Sequence, residues 1–262
     1  MQELYVIKIG GNIIDNAGKL NSFLQQFSKI KGKKILVHGG GKLATDLAEK
    51  MSLPQQMVDG RRITDAETLK VVTMVYAGYI NKNMVAQLQA EGCDAIGMTG
   101  ADGNLVLAHK RIHSNIDYGF AGDVDEINSE LLNFLLEQNL TVVVAPITHD
   151  KKGQLLNTNA DTMAQEIAKA LSKLYQVTLV YSFEKNGVLM NAEDDSTVIA
   201  KLDTNKYKQL KEEKVIFAGM IPKLDNAFTA LGTGVSKVII GKAEKLEQLI
   251  SGDSGTTLLM KA

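Results

Sequence analysis

The chain has 262 residues, 45% of them hydrophobic and 23% charged, with a formal net charge of −1. That length can bury a sizeable core as one large domain or two lobes, and the near-neutral balance lacks the basic excess of a nucleic-acid binder. A single cysteine, Cys93, excludes an intramolecular disulfide and a cysteine-rich metal site, so a reducing, cytoplasmic setting is expected. There is no apolar run of about 18 residues and no signal-like N-terminus, so no membrane partner is expected.

In chain order, "LYVIKIG" reads as a buried strand, followed by a helical pattern near Lys19 to Ile30, the strand "KKILVHG" and the helix "GKLATDLAEKM". Thr64-Asp65-Ala66-Glu67 predicts a capping box. It opens a long helix to about Glu91, ended by Gly92 in the C′ position. "DAIGMTG" and "LVLAHKRI" predict strands, Asn128 caps "SELLNFLLEQN", and "LTVVVAPI" reads as a fully buried strand. Asn159 then caps "ADTMAQEIAKALS", whose apolar residues 160, 163, 164, 167, 168 and 171 form one helical face. "QVTLVYSF", a mixed-charge segment to about Lys214, "PKLDNAFTALGTG", "SKVIIG" and "TTLLM" complete the chain.

Strands apolar on both faces, alternating with helices, predict an α/β fold: a three-layer αβα sandwich with a mainly parallel central sheet. A shift after about Tyr175 divides it into lobes 1–175 and 176–262 of one continuous domain. Ligands of such sheets bind beyond the carboxyl ends of strands, at loops feeding helix N-termini.

Four such turns carry chemistry. In "YVIKIGGNII", Lys8 interrupts an apolar strand, which costs several kcal/mol unless its charge is compensated. Gly10 and Gly11 follow and let backbone amides approach an anion; a tight turn with Lys8 snorkelling outward is the alternative. In "VHGGGK", Gly39, Gly40 and Gly41 offer an anion cradle before a helix. Gly39, Gly41 and Ala44 also fit G-x-G-x-x-A, with Asp59 at the distance of a ribose-binding acid, which would mean a dinucleotide fold. In "GQLLNTNADTMA", Asn159 and Asp161 suit capping and the helix dipole, whereas Asn157 lies beyond the cap and is free to bind. In "AGMIPKLDNAF", Pro222 fits N1 and places Lys223 in the first turn, against the dipole. An anion at that helix start would explain the placement; a solvated surface lysine is the alternative. Arg62, in "DGRRITDAE", has the fork geometry for a carboxylate. His109 and His113 have no further ligand at metal spacing, His38 ends a strand, and Cys93 reads as a small core residue.

Two lysines, two glycine turns, one acid and an arginine, without a nucleophile–base pair, suit phosphoryl transfer, which needs mainly positioning and charge neutralisation. A carboxylate acceptor is already ionised at pH 7 and needs no base. The lysines would bring two anions together, and Asp161 would hold both lysines.

"IKIGGNII", "VHGGGK", "DGRRIT", "GFAGDVDEIN", "VVVAPI…GQLLNTNAD" and "GMIPK", in this order over nearly the whole chain, resemble the motifs of the N-acetylglutamate kinases of the amino acid kinase family. The resemblance implies ATP-dependent phosphorylation of the side-chain carboxylate of N-acetyl-L-glutamate in arginine biosynthesis. Mg2+ would travel on the nucleotide phosphates, with no metal site on the protein. It implies that Lys8 contacts the transferring phosphoryl group, Lys223 its ATP side, and that Asp161 organises both. Gly10, Gly11, Gly40 and Gly41 would supply amides, Gly40 and Gly41 also shaping the acylglutamate pocket. Arg62 would take the α-carboxylate and Asn157 would bind the amino acid substrate. Ser182, Glu184, Lys185, Asn186, Gly187, Gly219 and Met220 are the expected nucleotide contacts.

Three departures from the pattern stand out. The nucleotide segment reads "SFEKNGVL" where the family typically has "TDVDGVL"; Ala218 precedes "GMIPK" in place of Gly or Asp; and Lys42 follows the triple glycine. A cation beside the acyl pocket would suit an acid-bearing acyl group, as in N-succinylglutamate. With seven residues before Lys8, the extra N-terminal helix of arginine-inhibited members is not expected. A homodimer through the helix from Thr64 to Glu91 is, unless Met74, Tyr76 and Tyr79 only pack internally. Two rival readings remain. A nicotinamide oxidoreductase would leave Lys8, Asn157 and Lys223 without work, and a non-catalytic sensor of the same fold would not need both lysines and Asp161.

Overall fold

A computed structural model describes residues 1–58, 60–191, 193–216 and 220–260. Its centre is an eight-stranded sheet in the order Lys201–Asp203, Thr256–Leu259, Lys237–Lys242, Gln176–Phe183, Glu3–Ile9, Lys33–His38, Thr141–Val144 and Ala95–Met98. Neighbours are parallel except Lys237–Lys242 with Thr256–Leu259. The predicted mainly parallel α/β sandwich is therefore present.

The strands read as unbroken apolar runs because each feeds two cores. Leu4, Val6, Ile35, Val37, Val142, Val144, Val177 and Leu179 face one side; Ile7, Ile9, Leu36, Val143 and Val180 face the other. Met163, Ala164 and Ile167 of the helix Ala160–Leu171 cover the first core, with Leu224 and Ala227 of Ile221–Gly232. Leu20, Phe23, Leu24 and Phe27 of Ala17–Lys29 and Ala44 and Ala48 of Gly41–Lys50 cover the second. Each large side chain buried in this way contributes roughly 1.5–3 kcal/mol. Strand parity puts Lys8 on the same face as Leu4 and Val6, so it shares a layer with the helices that begin near Asp161 and Lys223.

Several predicted caps hold. Asn159 accepts from the amides of Asp161 and Thr162, Asn128 accepts from Leu131, and Gly92 takes a φ of 71° after its helix. The long helix differs from expectation in two respects. Its cap is Asp65, whose Oδ1 accepts from the Thr68 amide at 2.7 Å, while the Thr64 hydroxyl instead donates to the Arg62 carbonyl at 3.0 Å. The helix also divides into Ala66–Thr73, a π-helical segment Met74–Ile80, and Asn81–Ala90.

"LTVVVAPI" likewise divides. Thr141–Val144 joins the main sheet, and Ile147–His149 belongs to a second, closed four-stranded sheet with Val106–Lys110, Ala121–Ile127 and Leu155–Thr158. Pro146, which has no amide to continue the ladder, stands at the break. Leu155–Thr158 carries Asn157, paired to Ala121.

Candidate active site

The three central strands end in register. Ile9 pairs with His38 on one side and with Ser182 on the other, so the turns after all three open at one carboxyl edge. Lys8 stands one residue before that edge. Its Nζ lies 2.8 Å from Asp161 Oδ1, an ion pair largely withdrawn from solvent. Asp161 is held there as the second residue of its helix, with its amide bonded to the Asn159 cap at 2.9 Å. Burial alone would raise the Asp161 pKa. The fields of Lys8 and Lys223 overcome that, and the carboxyl lies below its ordinary value.

Lys223, in the first turn of Ile221–Gly232, is half-buried with Nζ 5.0 Å from the Phe183 ring centroid. Burial lowers its pKa and Lys8 adds repulsion, while Asp161 and Glu184 counter both. Two ammonium groups from opposite ends of the chain thus bear on one carboxylate. Neither Lys8 snorkelling outward nor Lys223 as a free surface lysine describes this geometry.

Beside this triad, Gly39, Gly40, Gly41, Arg61, Arg62, Tyr76, Ala121, Pro146, Asn157 and Asn159 help to line a pocket of about 150 Å³. Gly40 has a φ of 145°, and a Cβ there would overlap Ile80 Cδ1, so glycine is required twice over. Arg62 is buried. It donates through Nη2 to the Gly41 carbonyl at 2.8 Å and to Thr45 Oγ1 at 2.9 Å, and through Nη1 to Gln55 Oε1. These contacts and the neighbouring Tyr76 hydroxyl fix the guanidinium plane at the edge of the pocket. Asn157 Nδ2 donates to Thr64 Oγ1 at 3.0 Å, tying the Asn157 strand to the Arg62 loop. Of the first glycine pair, Gly10 does not offer its amide, which donates to the Ser182 carbonyl at 2.8 Å.

A second pocket, of about 300 Å³, is lined by Lys185, Gly187, Val188, Leu189, Glu193, Val215, Ile216 and Met220. Among the expected nucleotide residues it gathers Lys185, Gly187 and Met220. Ser182 is buried inside its strand, Asn186 donates to the Asp195 carbonyl at 3.4 Å, and Glu184 accepts from Asn12 Nδ2 across the mouth of the triad. Gly219, Ala218 and Asp59 lie outside the described residues. Lys42 is exposed and acts on Asp15 rather than lining the first pocket. Arg61, not Lys42, is the second arginine or lysine side chain that lines the first pocket with Arg62.

Residues 3–242 match the model of the amino acid kinase family. The chain belongs to that family. Its relatives include the acetylglutamate kinases of Cytophaga hutchinsonii, 56% identical over 99% of both chains, and of Parabacteroides distasonis, 52% identical over 95% of this chain and 97% of the relative. The N-acetylglutamate synthase of Neisseria gonorrhoeae, solved with coenzyme A and N-acetylglutamate, superposes over the whole of this chain and 60% of its own, with a TM-score of 0.84 at 22% identity, which shows the shared fold.

Within this amino acid kinase scaffold, the dinucleotide pattern through Gly39, Gly41 and Ala44 is an accident of three consecutive glycines. Sequence reading missed Arg61, Tyr76, Thr45 and Gln55 around the first pocket and Val188, Leu189, Val215 and Ile216 around the second. The apolar wall of the second carries no motif, since any core valine looks the same. Arg61, adjacent to Arg62 in "DGRRIT", was the one legible signal.

Proposed function

We propose that the protein transfers the γ-phosphoryl group of ATP to the side-chain carboxylate of N-acetyl-L-glutamate, with Lys8, Lys223 and Asp161 as its catalytic residues. The convergence of both lysines on Asp161 carries this reading. A carboxylate oxygen attacks phosphorus and its new P–O bond replaces the bond to ADP, giving an acyl phosphate and ADP with no proton to move. Acceptor and ATP are both anionic. The Lys8 ammonium faces the migrating group and Lys223 the nucleotide side, so each offsets part of the charge that opposes approach. Asp161 keeps the two cations together in a site too dry to hold them unpaired. Gly11, Gly40 and Gly41 supply amides, Arg62 takes the α-carboxylate and Asn157 the amino acid portion. The apolar second pocket suits a nucleobase. Mg2+ would travel as an ion borne by the triphosphate. It would supply further charge neutralisation.

The acylglutamate side falls in residues 1–175 and the nucleotide side in 176–262. No described helix is long and apolar enough to cross a membrane, and the chemistry belongs in the cytoplasm, where ATP is abundant. A coupled assay for ADP release with acetylglutamate tests the reading: saturable, acylglutamate-dependent turnover is expected, and its absence with ATP bound would favour the sensor.

One observation supports a second substrate. Arg61 lines the acyl pocket half-buried, and its side chain makes no hydrogen bond or ion pair with a described residue. Burial and the neighbouring Arg111 lower its pKa against Asp123 and Tyr118, while Asp123 is taken by Arg111 at 2.6 Å. With the α-carboxylate on Arg62 and the reacting carboxylate on Lys8, a third anion is wanted, such as the distal carboxylate of N-succinyl-L-glutamate. Arg61→Met should then lower kcat/KM for the succinyl substrate by about 10²-fold, the loss of one charged hydrogen-bonded pair, and leave the acetyl substrate within about threefold. Equal losses on both would remove the second substrate.

A further inference from the structure

His38 and Asn81 are absent from the proposed machinery, yet both are buried, His38 directly before the glycine turn that lines the first pocket. His38 ends its strand and runs into Gly39-Gly40-Gly41. Its Nδ1 lies 2.8 Å from the Gly39 carbonyl, which can only accept, so Nδ1 carries the proton. Nε2 is then bare and accepts from Asn81 Nδ2 at 3.2 Å, while the other N–H of that amide donates to the Val143 carbonyl at 3.0 Å. The pair permits one tautomer of a neutral ring. Burial keeps the ring neutral against the Gly39 carbonyl, and no charged group is among the influences on it.

The consequence lies in the glycine turn. The Gly39 carbonyl is drawn back by His38, the Gly40 carbonyl accepts from the Ala44 amide at 3.1 Å, and the Gly41 carbonyl accepts from Arg62 and Thr45. With all three carbonyls engaged, the Gly40 and Gly41 amides remain for the pocket that these residues line.

The π-helical segment Met74–Ile80 places the lock. Its wider turn brings Tyr76 and Ile80 against Gly40 and puts Asn81, the next residue, on His38. Gly97 leaves room for the amide, since a Cβ there would overlap Asn81 Oδ1.

We propose that His38 and Asn81 are positioning residues, which hold the Gly39–Gly41 turn so that its amides face the reacting carboxylate. The assignment rests on the kinase reading. Two measurements on the full chain test it. In 15N NMR of labelled histidine, one of the four histidines should show a protonated Nδ1 and a bare Nε2, unchanged from pH 8 to pH 5.5. In kinetics, His38→Leu should lower kcat by roughly 30-fold, somewhat less than removing an oxyanion donor outright, with KM for ATP within about threefold. His38→Asn, which keeps a donor toward Gly39, should recover about tenfold of that loss, and Asn81→Leu should lie between the two. An Nε2–H tautomer, a titration of that ring between pH 6 and 7, a folded His38→Leu with unchanged kcat, or a His38→Asn no better than His38→Leu would each overturn the proposal. The two failures are separable: loss of the kinase reading shows as no turnover by the unaltered chain, loss of this proposal as turnover indifferent to His38.

Discussion

Lys8 is tolerated inside an apolar strand because its ammonium ends at the Asp161 carboxylate, and on the proposed reading that ammonium also meets the migrating phosphoryl group. Lys8→Met or Lys223→Met should therefore reduce kcat by roughly 10²-fold or more, as for loss of one preorganised donor, in a steady-state assay of ADP release; near-normal turnover would remove the assigned roles. Two titrations give the site a pH signature. The His38 pKa falls from 6.5 to about 4 through burial, so between those values the unfolded chain binds the proton that the native chain refuses. Stability is full above pH 6.5 and falls toward pH 4, by on the order of 3 kcal/mol from this ring. The Asp161 pKa is depressed, so its contribution is present above about 3.8 and disappears below it as the pH falls through the native value. Denaturant midpoints at pH 7, 5.5 and 4.5 should decline, and His38→Asn should flatten that decline; a slope identical to the unaltered chain would show that His38 is not the group refusing the proton.

At the level of elements, the strand and helix alternation was legible because each period is local, and the Asn128 and Asn159 caps because a short polar side chain before an apolar face has few other uses. The start of the long helix was misread by one residue. Thr64 and Asp65 are both competent caps, and only the distant Asn157, which engages the Thr64 hydroxyl, decides between them. The π-helical segment has no marker in residue type. Two glycines, one packed against the segment and one inside it, test its packing with one substitution of opposite outcome. Gly40→Ala forces a side chain to a φ of 145° against Ile80 and should destabilise by roughly 1–3 kcal/mol while impairing acylglutamate turnover. Gly78→Ala, inside the segment with open space around its Cβ, should be neutral or stabilise by about 0.5–1 kcal/mol. Thermal unfolding of both variants checks the pair, and equal destabilisation would contradict the packing described.

For the whole molecule, the sheet is a device for convergence. Lys8, the Asp161 helix and the Lys223 helix belong to the same layer, and the carboxyl edge brings their ends together although Lys8 stands more than half the chain from either helix. The same scale governs association. Met74 and Tyr79 are 51% and 67% exposed beside a groove formed with Leu43, Leu47 and Val75, an apolar face that a second copy of the chain would cover. Sedimentation velocity should show a dimer at micromolar concentration that Tyr79→Asp converts to monomer; a monomeric unaltered chain would mean that this face stays in solvent.

The amino-acid order alone determined the two-sided parallel sheet, the turns that carry glycine, lysine and asparagine, and the misfit of Lys8, because periodicity and a charge among apolar neighbours are local properties. It also carried the family, through six motifs in a row. Only the tertiary structure decided that Arg61 and not Lys42 lines the pocket beside Asn157, that Gly10 spends its amide on Ser182, and that His38 answers to Asn81. Those outcomes depend on which way a side chain turns and what meets it from across the sheet, and no spacing along the chain encodes a contact made between layers.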